Sequence, residues 1–182
     1  MVVRQGEIYW ADLGTPLASE PKRTLQAIEP VVRRAVESDD AKGAHLTISD
    51  TARSSRVLVD PALFERALSN VLRNARAHAG ENARIDVDVE ARSDTIAVSI
   101  TDDGPGIDKD LLPRVFDPFV RGDVARTPTA GRGTGLGLSL VRRIVEAHGG
   151  HVSAENVERD GKVAGAKVTL VLPMASPSPL HS

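Results

Sequence analysis

The sequence predicts an α+β fold: a two-layer sandwich of a mixed, mostly antiparallel sheet with helices on one face. Three observations carry that expectation. Ile85, Val87 and Val89 alternate strictly with polar residues. Ile96, Val98 and Ile100 do the same after a polar turn at 92–94, which is the pattern of an antiparallel hairpin with one buried face. Segments 152–154 and 166–172 read as a second hairpin, and two stretches of helical period interleave with the pairs.

In chain order, residues 6–13 alternate loosely and read as a strand, followed by a loop to Arg23. Leu25, Ile28, Val32 and Val36 recur at helical spacing, with Pro30 at a kink or in the first turn. Short strands are expected at 46–48 and 57–59. Asp60 followed by Pro61 starts a helix: Asp caps, Pro suits the first helical position, and Val59 can staple to Phe64. Phe64, Leu68, Val71, Leu72 and Ala75 form its core stripe to about His78, and Gly80 stops it. After the first hairpin the chain is punctuated by Gly and Pro up to Gly137, apart from a helical piece at 111–115. Leu138, Val141, Val145 and His148 then share one helix face. Residues 174–182 are rich in Pro and Ser and read as disordered.

Composition narrows the function classes. The chain has 182 residues, enough for one domain with a proper core, and a net charge of −2 gives no bulk attraction to nucleic acid or membrane. The absence of cysteine excludes disulfides and thiolate metal sites. No apolar run reaches membrane-span length and the N-terminus has no signal core, so the expected compartment is the cytoplasm.

The chemistry concentrates in four segments. Gly133, Gly135 and Gly137 alternate with Thr134, Leu136 and Leu138 after Arg132, immediately before a helix. Glycines let a backbone lie against a ligand, and the helix N-terminus adds partial positive charge, which together suit phosphate. The spacing fits neither a P-loop nor a dinucleotide-binding turn. Asn70 and Asn74 lie one turn apart on the 60–78 helix, where two amide oxygens can hold hydrated Mg²⁺ or simply face water. His78 continues that face. Asp102, followed by Asp103, Gly104, Pro105, Gly106 and Ile107, ends a strand, as either a ligand-binding carboxylate over a sharp turn or a plain Asp-Gly-Pro turn. Phe116 and Phe119 bracket Asp117 and Pro118 in a loop that carries Arg121 next.

Taken in order, the four segments resemble the N, G1, F and G2 boxes of the catalytic ATP-binding domain of bacterial sensor histidine kinases. These belong to the GHKL superfamily with gyrase, Hsp-type chaperones and MutL. The resemblance covers roughly 25–173 and includes Val59–Pro61 before the first box and Glu146–Gly150 after the last. It implies a Bergerat-type ATP site in which Asn74 coordinates Mg²⁺ and Asn70 supports metal and phosphates. Asp102 receives the adenine amino group, His78 lies against the purine, and Gly104, Gly106 and Ile107 turn over the base. Residues 116–134, Phe119 included, form an ATP lid with Arg121, Arg126 and Arg132 as phosphate contacts. Gly133, Thr134, Gly135, Leu136, Gly137 and Leu138 wrap the triphosphate.

The same resemblance sets limits. Hydrolysing members carry a glutamate where this chain has Asn70, so hydrolysis is expected to be slow; Glu65 is too far back to replace it. Ala77 stands where the family has Lys or Arg on the phosphates, with Arg76 as a neighbour that could compensate. None of His45, His78, His148, His151 and His181 lies in a phosphoacceptor box. The implied partner is therefore a dimerisation and phosphoacceptor domain acting in trans, and through it a response regulator. A non-catalytic nucleotide-binding fragment and a stand-alone anti-sigma-type serine kinase are the alternatives. Residues 1–23 resemble the opening of MazF/PemK-type toxins or form a chance strand and loop. The expected organisation is thus a vestigial 1–23 segment, an ATP-binding domain over 24–173 and a tail over 174–182.

Overall fold

The computed structural model describes residues 2–4, 7–9, 21–38, 43–80, 82–120 and 135–175. In order these form β1 (Val2–Arg4), β2 (Glu7–Tyr9), β3 (Thr24–Ala27), α1 (Ile28–Val36), β4 (His45–Ile48), α2 (Asp50–Ser54), β5 (Arg56–Val59) and α3 (Pro61–Ala79). They continue with β6 (Ile85–Arg92), β7 (Thr95–Asp102), a 3-10 turn at Leu112–Arg114, α4 (Gly137–Ala147), β8 (His151–Arg159) and β9 (Lys162–Pro173).

Five strands form the main sheet in the order β4-β6-β7-β9-β8. Only the β4–β6 pairing is parallel, so the sheet is mixed and mostly antiparallel as expected. Val87 and Val89, Val98 and Ile100, and Val168 and Leu170 project to one face and are buried. Against them pack Phe64, Leu68, Leu72, Val141, Ile144 and Val145 from α3 and α4, and α1 packs on α3. Burying one large apolar side chain stabilises by about 1.5–3 kcal/mol, so this shared layer dominates the fold.

Asp60 caps α3 through Oδ1, which accepts from the backbone N–H groups of Ala62 and Leu63 at 3.1 and 3.2 Å. Such a cap contributes about 1 kcal/mol. Gly80 takes φ +102° at the other end. Pro30 sits in the first turn of α1.

Three local expectations are corrected. Leu25 lies in β3, not in a helix: the strand pairs with β5 in the register Leu25 to Leu58, and Leu25 is 52% exposed. A long-range ladder overrides the local period there. A short helix, α2, lies between β4 and β5, capped by Ser49 Oγ accepting from Ala52 N at 3.3 Å. The second hairpin is also longer than its apolar stretches, because polar residues of β8 pair through to Arg159.

Of the strand expected at 6–13, the described part is β2, paired antiparallel with β1. Met174 bridges Val57, extending the β3–β5 ribbon. The tail expected over 174–182 is corrected at its start: Met174 and Ala175 are held by β5, Ala175 N donating to Arg56 O at 2.8 Å, and residues 176–182 lie outside the described residues.

Candidate functional site

β7, the central strand of the sheet, ends at Asp102 beside the end of α3. Its Oδ1 accepts from Gly104 N at 3.0 Å and from Ala166 N, in β9, at 3.3 Å. Both bonds given to this carboxylate among the described residues fall on Oδ1, so Oδ2 is the oxygen left for a ligand. Burial raises the Asp102 pKa above the ordinary aspartate value, opposed by the two backbone bonds and by the nearby His78.

Glycine is required around it by contact. A Cβ on Gly104 would lie 2.7 Å from Ala79 Cβ, and one on Gly165 would lie 1.9 Å from Asp102 O. The turn is thus pressed between the end of α3 and strand β9.

The pocket face of α3 carries Asn70, Asn74 and His78. Asn70 is 7% exposed, so it is not a solvated surface residue. Its Nδ2 donates to Arg66 O at 3.0 Å and its Oδ1 accepts from the Arg73 guanidinium. A Cβ on Gly137, the first residue of α4, would meet that Oδ1 at 3.8 Å. The structure therefore brings the amide of Asn70 to the helix start that the glycine run precedes. Asn74 is half-buried one turn further on, and His78 is exposed near Asp102. Arg76 donates to Ala83 O at 2.8 Å, in the connection to β6.

Leu136 precedes α4 without a side-chain cap, and its carbonyl accepts from Ser139 Oγ at 3.0 Å. Leu138 is buried in the core. Gly135, at φ +70°, accepts through its carbonyl from Phe119 N at 3.0 Å, which ties together the two ends of the 120–134 segment. The two phenylalanines separate: Phe116 packs on the core, whereas Phe119 has φ +66° and is 72% exposed. Arg121, Arg126, Arg132, Gly133 and Thr134 lie outside the described residues.

Two supporting residues have roles the sequence reading missed. His148 is buried, with Nδ1 2.6 Å from Ile144 O and Nε2 accepting from Asp60 N at 2.9 Å. That pattern makes Nδ1 the protonated nitrogen and pins the end of α4 to the start of α3. Its apolar-face position was visible in the sequence, but its partner 88 residues away was not. Asn156, in β8, bonds both backbone polar groups of Ile107. No spacing signal marks it.

Helix α3 therefore links a strand-end carboxylate, beside its C-terminal end, with the start of α4 beside Asn70. The profile of the histidine kinase-, DNA gyrase B- and HSP90-like ATPase family matches residues 59–176, and the chain belongs to that family. It is 37% identical over 154 residues to sensor histidine kinase component HK1 of Mycobacterium tuberculosis H37Rv, covering 85% of each chain. It is 36% identical over 163 residues to the probable sensor histidine kinase HK of M. tuberculosis CDC 1551, covering 90% of this chain and 40% of that one. Full-length ShkA, solved in complex with AMPPNP, superposes with a TM-score of 0.69 at 25% identity, over 90% of this chain and 34% of the other. The chain thus spans well under half of two of these relatives.

It is the ATP-binding catalytic part of a sensor histidine kinase in kind, and neither the inert-fragment nor the anti-sigma-type alternative is favoured. The toxin-like reading of residues 1–23 finds no support in these likenesses. Among the described residues no helix is long and apolar enough to cross a membrane.

Proposed function

We propose that residues 24–173 bind ATP with Mg²⁺ and present the γ-phosphate to a histidine carried outside residues 1–182. The observation that carries this reading is Asp102: a desolvated carboxylate with Oδ1 fixed by its own turn and Oδ2 left to accept from an amino group such as that of adenine. His78 lies beside it to flank the base. Asn70, held by Arg66 and Arg73, faces the start of α4, where backbone N–H groups and the helix dipole receive phosphate.

Asn74 offers a neutral amide oxygen, suited to Mg²⁺ that keeps waters and takes further oxygens from the triphosphate. When bound, the ion neutralises charge on the phosphates. Arg121, Arg126, Arg132, Gly133 and Thr134 would complete the lid.

The transfer breaks the bond between the γ-phosphorus and its bridging oxygen and forms a phosphorus–nitrogen bond on the acceptor. ADP leaves, and the imidazole proton passes to a base beside the acceptor. The chain's own work is positioning and electrostatic stabilisation. Asn70 cannot take a proton from water, so hydrolysis stays slow and transfer is favoured. HK1, named a component and matched over 85% of its length, supports an acceptor supplied by another part of the kinase, which would pass the phosphate to a response regulator. The same reading puts the chain in the cytoplasm, where ATP is.

Titrating ATP with and without Mg²⁺ tests the site, and adding labelled ATP with a separately supplied acceptor domain tests transfer. Acid-labile label on the acceptor histidine is expected. Failure to bind ATP at millimolar concentration would overturn the site, whereas binding without label would overturn the transfer.

A further inference from the structure

We infer that Asn156, outside all four nucleotide-binding segments, is a positioning residue for recognition of the adenine base. The inference rests on the reading of Asp102 as the adenine contact. Asn156 Oδ1 accepts from Ile107 N at 2.7 Å, and its Nδ2 donates to Ile107 O at 2.7 Å. One side-chain amide thus replaces a strand partner for the far end of the Asp102–Ile107 turn.

The near end is fastened at the same height. Asn156 and Ala166 are opposite each other in the β8–β9 ladder, and Ala166 N is the group that bonds Asp102 Oδ1. A single rung of the hairpin therefore holds both ends of the turn, Asp102 through β9 and Ile107 through β8. Between them Gly106 takes φ +80°, and a Cβ there would lie 2.8 Å from Asn156 Oδ1 and 2.3 Å from Val163 Cγ1. The turn rests on the hairpin with no room to shift inward.

The register shift in β8 falls directly after Asn156, between it and Glu158. A bulge bends its strand and re-aims a side chain, which accounts for a strand residue reaching sideways to a loop 49 positions away. With the amide gone, Ile107 N–H and C=O lose their partner and the turn is held at Asp102 alone. Its carboxylate then samples orientations that no longer single out an amino group on the base. A misplacement near 1 Å costs on the order of a hundredfold in well-aligned sites, and partial loosening is expected to cost about tenfold.

The test compares ATP and GTP affinities, by competition against a fluorescent nucleotide, for the 182-residue chain and its Asn156→Leu and Asn156→Asp variants. Asn156→Leu is expected to lose about tenfold in ATP affinity with little change for GTP, so that discrimination shrinks. Asn156→Asp keeps an acceptor for Ile107 N–H but faces Ile107 O with a second oxygen, and should fall between. A merely structural role would lower the melting temperature and weaken both nucleotides alike, leaving the ratio unchanged; that result overturns the inference. If a variant fails to fold, the wild-type side-chain amide resonances of Asn156 and the backbone amide of Ile107 decide: they should shift on adding ATP and not GTP, and their silence overturns it as well. Wild type that binds no ATP would instead overturn the reading of the site itself.

Discussion

The two ends of the proposed nucleotide site are held by different means. Where the base would sit, the two ends of the turn are held by the sheet, Asp102 by β9 and Ile107 by Asn156 in β8, while Gly104 presses on the close of α3. Where the phosphates would lie, the anchors are helix ends. Asn70 leans on the start of α4, and α4 begins at Leu136 without a side-chain cap while its other end is closed twice over. Gly149 and Gly150 return their N–H groups to Glu146 O and Val145 O, and His148 reaches Asp60. α4 is therefore fixed at its C-terminal end, away from Gly137 and Asn70, and its start has no side-chain cap. Under the proposed reading, the end held by the sheet would select the flat base, and the helix start would receive the anion.

The largest expected effect separates binding from stability at the end held by the sheet. Asp102→Asn can keep both backbone bonds on its oxygen but offers the pocket an N–H₂ donor instead of Oδ2. ATP affinity should fall on the order of a hundredfold or more, since two donors then face each other. Stability should not fall with it. The folded-state pKa of Asp102 lies above the unfolded one, so its contribution is fully present below the unfolded pKa and lost as pH rises through the folded one. Relative to wild type, the Asn variant should melt at or above it at pH 7, with the gap closing as pH falls through the carboxylate range. A variant that lost stability at pH 7 would show that Asp102 is structural.

Asn74→Ala addresses the other end. It should remove the Mg²⁺-dependent part of ATP affinity, on the order of ten- to a hundredfold, and leave Mg²⁺-independent nucleotide binding close to wild type. Titration in EDTA and in Mg²⁺ reads the two parts. If both fall together, Asn74 supports the helix rather than the ion.

How much of this contrast could be read from the sequence follows from how local each feature is. The α3 cap at Asp60, the alternation in β6 and β7, and the glycine run before α4 are set by neighbours in the chain, and the residues show them. β3 was read as helix because Leu25 continues the period of Ile28 and Val32, and only pairing with Leu58 makes it a strand. Asn156 was missed for the same reason: its meaning comes from Ile107 and Ala166, far off in the chain. From the residues alone, Asn70 and Asn74 read either as two amide oxygens that can hold Mg²⁺ or as two asparagines facing water. The burial of Asn70 comes from α4 crossing over it, which no helical wheel of α3 contains.

His148→Ala tests whether the fixed end of α4 is what stabilises the fold. It leaves Asp60 N–H without its acceptor and opens a gap between α3 and α4, at a cost of about 1–3 kcal/mol from the unsatisfied group. Urea denaturation measures it. Nucleotide affinity of the folded fraction should change little, because the lesion lies at the opposite end of α4 from Gly137. A large loss of affinity with unchanged stability would mean that the two ends of α4 are not independent.

The smallest effect is a gain. Ala77 is exposed on α3, seven residues after Asn70 and three after Asn74, so it shares their face. Its neighbour Arg76 points its NH1 to Ala83 O, on the connection to β6. A cation at 77 would therefore enter an exposed position on the face shared with Asn70 and Asn74 without displacing a packed group. Ala77→Arg should raise ATP affinity roughly two- to fivefold, the range of a solvent-exposed ion pair. The gain should shrink with added salt, and adenosine, which has no phosphate, should bind as before. Equal gains for ATP and adenosine would mean that the substitution acts through the base-binding end. No gain for either would mean that cations elsewhere already meet the triphosphate, and that this end is better supplied with charge than α3 alone suggests.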